Sequence, residues 1–213
     1  ELTVPSKKKQ LDAINKTPTL ERIPFAMSVS LFYAFMVTPA LYLCRSSSSS
    51  AALTGKALVI SKVGTALAWF GAVTEAITDT QKFLAKKGKD GSSEFVGPTS
   101  GWYSISRHPN YLAEILFWFG IFVGGAPTLQ NNIAAWIMSL LGMSGIYSIM
   151  SNATKRLDGR QVENYGGQEK YEEWITSGVP LLVPTNLIRS IVPVLLSVGL
   201  AATLIKIVQL LAV

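Results

Sequence analysis

The run Ser106-Arg107-His108-Pro109-Asn110-Tyr111-Leu112-Ala113-Glu114 gathers more hydrogen-bonding and ionisable groups than any other stretch of this chain. Arg107 is a permanent cation whose planar fork of donors suits phosphate or carboxylate. His108 is the single histidine, the side chain that titrates nearest neutrality. Asn110 and Tyr111 add neutral hydrogen bonds, and Glu114 follows Asn110 by four residues, on the same helical face. Pro109 suits the first turn of a helix, so the run reads as a helix start. An isolated interfacial histidine is most often bonded to a backbone carbonyl. In this company it reads instead as part of a site for a polar, anionic ligand such as a phosphorylated nucleotide cofactor.

Two other stretches carry candidate chemistry. Glu75 and Asp79, four apart and close to Gln81 and Lys82, are either a carboxylate pair for proton transfer or the hydrated end of a helix. Farther on, Tyr165-Gly166-Gly167-Gln168-Glu169-Lys170-Tyr171-Glu172-Glu173-Trp174 precedes Val179-Pro180-Leu181-Leu182-Val183-Pro184. These aromatics read equally as an interfacial belt or as a cover over a cofactor pocket. Spacing alone does not choose.

The elements that position these groups are set by composition. With 213 residues, 49% of them hydrophobic and only 15% charged, the chain reads as an all-α, multi-span membrane bundle of about five transmembrane helices. Apolar runs place the spans at Pro24 to Cys44, Ala57 to Ile77, Tyr111 to Gly125, Ile133 to Met150 and Ile188 to Val213. Lys62 interrupts the second, and Ala126 to Asn132 links the third and fourth as a turn-rich connection. The expected organisation is a polar arm over residues 1–23, a membrane domain over 24–184 and an additional C-terminal helix over 185–213. Of the 19 lysines and arginines, only Arg45, Lys56, Lys62 and Lys206 fall off one face of this five-span arrangement. That bias puts the N-terminus and the Arg107 motif on the cytoplasm-like side.

A net charge of +6 is then explained by membrane topology and anionic lipid, and no nucleic acid is expected as a partner. The one cysteine, Cys44, excludes an intramolecular disulfide and a cysteine-based zinc site, and no metal is expected. The first residue, Glu1, fits processing, with removal of an organelle-targeting segment as one route. The expected location is a multi-pass position in the endoplasmic reticulum or another organelle membrane, the plastid included.

Several of these residues recur together in order. Trp69-Phe70-Gly71, Thr74-Glu75-Ala76-Ile77-Thr78-Asp79-Thr80-Gln81-Lys82-Phe83, then Gly101-Trp102-Tyr103-Ser104-Ile105-Ser106-Arg107-His108-Pro109-Asn110-Tyr111 and Glu114 resemble the steroid 5α-reductase-like C-terminal domain family. The resemblance covers residues 69–184. The same superfamily holds isoprenylcysteine carboxyl methyltransferases and sterol C14 reductases. The resemblance implies a helical membrane fold in which helix ends and loops hold NADPH while a hydrophobic small-molecule substrate enters from the lipid. Carried over by position, Tyr111, His108 and Glu114 are the catalytic candidates, and Asp79, Lys82, Arg107, Asn110 and Tyr171 the cofactor-binding ones. Hydride would pass to an activated C=C bond, with Tyr111 or His108 donating a proton or polarising a carbonyl.

The chain also departs from the family pattern. Ser151-Asn152-Ala153-Thr154 stands where a glutamate is usual, Trp174 replaces a tyrosine, and Ile175-Thr176-Ser177 lacks a basic pair. Fewer spans precede the motif and an extra one follows it. Three functions are therefore expected as alternatives: an NADPH-dependent reductase of a lipid-like, isoprenoid-like or steroid-like substrate; a non-catalytic accessory subunit packed against other membrane-protein subunits; and a lipid-associated methyltransferase using S-adenosylmethionine. Membrane lipids are partners in each.

Overall fold

The computed structural model describes residues 12, 16, 18–47, 53–89, 93–183 and 187–211. Most of the expected N-terminal arm, Ser48 to Ser50, Pro184 and the last two residues of the expected C-terminal span lie outside the described residues. The described chain is helical: α1 (Thr19–Ser47), α2 (Gly55–Lys86), a 3-10 turn (Gly101–Ser104), α3 (Pro109–Leu129), α4 (Ile133–Tyr165), α5 (Glu169–Thr176) and α6 (Leu187–Leu211). Five of these helices are long and apolar enough to cross a membrane. Leu41, Leu141 and Leu196 are each more than half exposed, as lipid-facing side chains should be in a bundle that lacks a watery exterior at that depth. The protein is a multi-pass membrane protein.

Helix lengths matter for the site. At 1.5 Å per residue, α2 and α4 are each about 50 Å long, against a hydrocarbon core of about 30 Å. Their last three turns therefore stand clear of the lipid on the basic face. The helix thus outlasts the fourth span, expected to end at Met150: the chain stays helical to Tyr165, because residues 151–165 contain no proline and only the single Gly159. The expected turn from Ala126 is likewise shorter. Pro127 sits inside α3, and the turn proper is Gln130 to Asn132, where Gln130 takes a positive φ of 48° and Asn132 caps α4 by accepting from Ala135 N at 3.0 Å. The first span also starts earlier than Pro24, at Thr19, with Pro24 tolerated near the helix start.

Small residues hold the bundle together. On α2, a Cβ added at Gly71 would meet Phe117 N at 2.5 Å and Ala113 O at 2.7 Å, and Gly64 and Gly120 sit equally close to the facing backbone. Close backbone approach through glycine is the packing route open to helices in lipid, where apolar burial alone offers little drive. Ser61 Oγ adds a hydrogen bond to Gly124 O at 2.7 Å across the same seam. α3 is thus clamped to α2 in register, with Asn110 to Glu114 level with the Glu75 turn. α6 joins through Trp102, whose Nε1 donates to Ser197 Oγ at 3.2 Å, both side chains buried.

Candidate functional site

The site is assembled on the basic face from the protruding ends of α2 and α4, the start of α3, α5 and the segments around Phe95 and Val179. His108 is the N-cap position of α3 and Pro109 its first residue. Ser106 fixes this start by donating to Leu182 O at 2.7 Å and accepting from His108 N at 3.3 Å. Arg107 ties it further: its backbone N donates to Pro180 O at 3.0 Å and its Nε to Val179 O at 3.0 Å. Nη1 of Arg107 donates to both oxygens of Asp158, at 2.8 and 3.1 Å.

Asp158 was not singled out by the sequence. The acid expected near Ser151 to Thr154 is absent there, yet α4 supplies one a turn later. Continuation of the helix puts Thr154, Asp158, Gln161 and Tyr165 on a single face at spacings of four, three and four. That periodicity is the signal that would have found it. The same carboxylate lies 4.0 Å from His108 Nε2, an atom buried without a hydrogen-bond partner.

His108 is 3% exposed, and its ring lies parallel to Tyr111 with centroids 5.8 Å apart and 12° between planes. Burial pushes the imidazole down to about 4; Asp158 opposes that shift, while Lys82 and Arg107 reinforce it. The ring is therefore neutral at pH 7. Burial also raises the phenol of Tyr103, which donates to Thr78 O at 3.3 Å, and that of Tyr171.

Of the residues expected from sequence, Lys82, Arg107, His108 and Asn110 line one crevice, together with Lys86, Gln161, Tyr165 and Trp174. Tyr111 and Glu114 are half-buried on the first turns of α3, Tyr111 against His108. Asp79 is exposed on α2 and does not line the crevice, and Tyr171 is fully buried behind it. Both Tyr171 and Trp174 are buried, so they do not form a lipid-facing belt. Trp174 Nε1 instead donates to Tyr103 O at 2.7 Å. Gln81 packs against Gly101, where a φ of 62° demands glycine.

Phe95, also not anticipated, closes the crevice. Its ring stacks on Trp174 at 5.5 Å and 22°, meets Tyr165 and Tyr171 edge-on, and lies 5.9 Å from Lys170 Nζ. Gln168 holds the segment by accepting from Phe95 N at 2.6 Å and donating to Ser93 O at 2.9 Å. About 30 Å³ of free space remains in the crevice, room for about two waters and far less than a nucleotide needs. Deeper, at bilayer level, an apolar cavity of about 360 Å³ lies between α1, α2 and α3, lined by Trp69, Ala72, Phe117, Ile121 and their neighbours.

A family model described as a protein of unknown function (DUF1295) matches residues 8–177. The chain belongs to that family. The match takes in α1 to α5 and the whole of the crevice, and ends before α6. No curated protein and no solved structure matches the chain.

Proposed function

We propose that this protein is an NADPH-dependent reductase of a C=C bond in a lipid-like substrate of isoprenoid or steroid type, working at the basic face of its membrane. One observation carries the reading: a crevice with Lys82, Lys86, His108 and Asn110 sits at the basic-face ends of α2 and α3, and the same two helices border an apolar cavity of about 360 Å³ whose nearest lining residues lie about 10–15 Å farther along them. A water-soluble, phosphate-bearing donor suits the first compartment, and a substrate dissolved in lipid suits the second. The steroid 5α-reductase-like sequence pattern agrees with that division.

The side chains fit NADPH by charge and donor type. Lys82 and Lys86 offer ammonium groups to phosphate, and His108 Nε2 and Gln161 Oε1 are buried polar atoms without partners. Space is the constraint, so the Phe95 ring must leave the face of Trp174 before a nucleotide can enter. Bound there, the cofactor supplies the hydride that an enone accepts at its β-carbon. Tyr111 holds the proton that completes reduction at the α-carbon. His108, neutral and stacked on Tyr111, orients the phenol. Glu114, one turn deeper, returns a proton to Tyr111 after turnover.

A second reading, a non-catalytic subunit of a larger membrane complex, is favoured by a different observation. Arg107 spends its Nε on Val179 and its Nη1 on Asp158, so the motif's strongest anion-binding group closes the fold itself. The two readings part on turnover. An isoprenoid enone added to purified protein with NADPH should be reduced, and Tyr111→Phe should slow this by about 100-fold or more while nucleotide affinity stays unchanged. An equal rate in Tyr111→Phe removes the phenol from the mechanism, and no turnover in wild type favours the subunit reading.

A further inference from the structure

The opposite end of the bundle presents a charge pattern that the crevice does not use. Every one of the 13 aspartates and glutamates belongs to the basic side of the five-span arrangement, and the stretches 23–74, 115–157 and 174–213 contain none. Arg45, Lys56, Lys62 and Lys206 thus share an end of the molecule that has no acidic side chain to balance them. Positive-inside bias works against cations there, and the chain itself offers them no carboxylate, which leaves them open to anionic groups of the surrounding membrane.

A cavity opens at that same end. Between α1, α2 and α6 a space of about 620 Å³ opens at this end, walled by Leu43, Leu53, Leu58 and Ile205 and rimmed by Lys62 and Gln209. Lys62 is exposed and has no hydrogen bond or ion pair among the described residues. It lies seven residues into α2, about 10 Å from the helix start, and its long stem lets the ammonium reach back to headgroup level. Gln209 near the end of α6 and Ser46 near the end of α1 mark that level. The arrangement is an apolar trough with a cation and amide at its mouth.

We infer that this cavity binds an anionic phospholipid, its acyl chains along α1, α2 and α6 and its phosphate at Lys62 and Gln209. The occupant is a membrane lipid rather than a soluble anion because most of the wall is apolar and faces the hydrocarbon. This site is separate from the crevice on the other face and does not depend on the reductase reading.

Native mass spectrometry of the detergent-purified full chain tests it, with phosphatidylglycerol and phosphatidylcholine of identical chains offered at equal concentration. Wild type should retain phosphatidylglycerol in preference by about five-fold, the worth of one well-placed lysine near an anionic surface. Lys62→Gln should abolish the preference and Lys62→Arg should keep it. Lys155→Gln, which removes an exposed cation from the far face, should leave it unchanged. Equal retention of the two lipids by wild type, or an undiminished preference in a Lys62→Gln protein of normal melting temperature, overturns the proposal. Displacement of the bound lipid by glycerol 3-phosphate alone overturns it as well, by making the site one for soluble phosphate.

Discussion

Arg107 and His108 are adjacent in sequence yet do different work, and the difference comes from what α4 brings to them. The arginine is neutralised by Asp158 and bonded to the Val179 carbonyl, while the histidine is buried with Nε2 unpaired. Burial holds the imidazole near 4, below its unfolded value of about 6.5, so the unfolded chain binds more protons between those limits. Stability contributed by neutral His108 is present above pH 6.5 and is lost as pH falls towards 4, by up to about 3 kcal/mol. Melting temperatures measured across that window should drop with pH in wild type and drop less in His108→Gln; parallel slopes would mean that the imidazole is not buried as described. The sequence made Arg107, His108 and Asn110 legible because polar groups at a membrane helix start are expensive and therefore conspicuous. Asp158 and Phe95 were not legible for the opposite reason. Each is a lone residue of ordinary type in polar surroundings, and its role comes from an approach of distant chain segments.

At the scale of elements, apolar runs gave the five spans nearly in place, since a hydrocarbon core imposes both length and composition. Their helices run on past the expected span ends where they leave the lipid, because hydropathy stops at the interface and helical hydrogen bonding does not. The protruding turns of α2 and α4 are walls of the crevice, so the part that hydropathy does not reach is the part that matters most. The α2–α3 seam keeps the walls in register. Gly71→Leu would drive a side chain into the backbone at Phe117 and Ala113 and should cost at least about 3 kcal/mol. Gly159→Ala, at a position with open space around it, should be neutral or slightly stabilising. Thermal melts of the two variants in the same detergent check this, and equal melting temperatures would remove the seam as the organiser of the site.

For the whole molecule, charge and topology form one argument. The bias of lysine and arginine to one face puts the crevice, both protruding helix ends and every carboxylate on that side. In a Cys44→Ser background, Lys155→Cys and Asn131→Cys should react with a membrane-impermeant maleimide from opposite sides of sealed vesicles. Labelling of both from the same side would overturn the five-span topology. What the chain as a whole could not reveal from sequence is the state of its crevice, because closure depends on one ring stacking across segments about 80 residues apart.

Nucleotide binding is the measurement that bears most directly on the proposed reductase. Purified wild-type protein titrated with NADPH should bind it, Phe95→Ala should bind it more tightly because the ring no longer has to be displaced, and the Lys82→Gln, Lys86→Gln double variant should bind at least about ten-fold more weakly. Absence of binding in both wild type and Phe95→Ala, with all three proteins folded, would contradict the account and leave the crevice as a structural closure of the bundle.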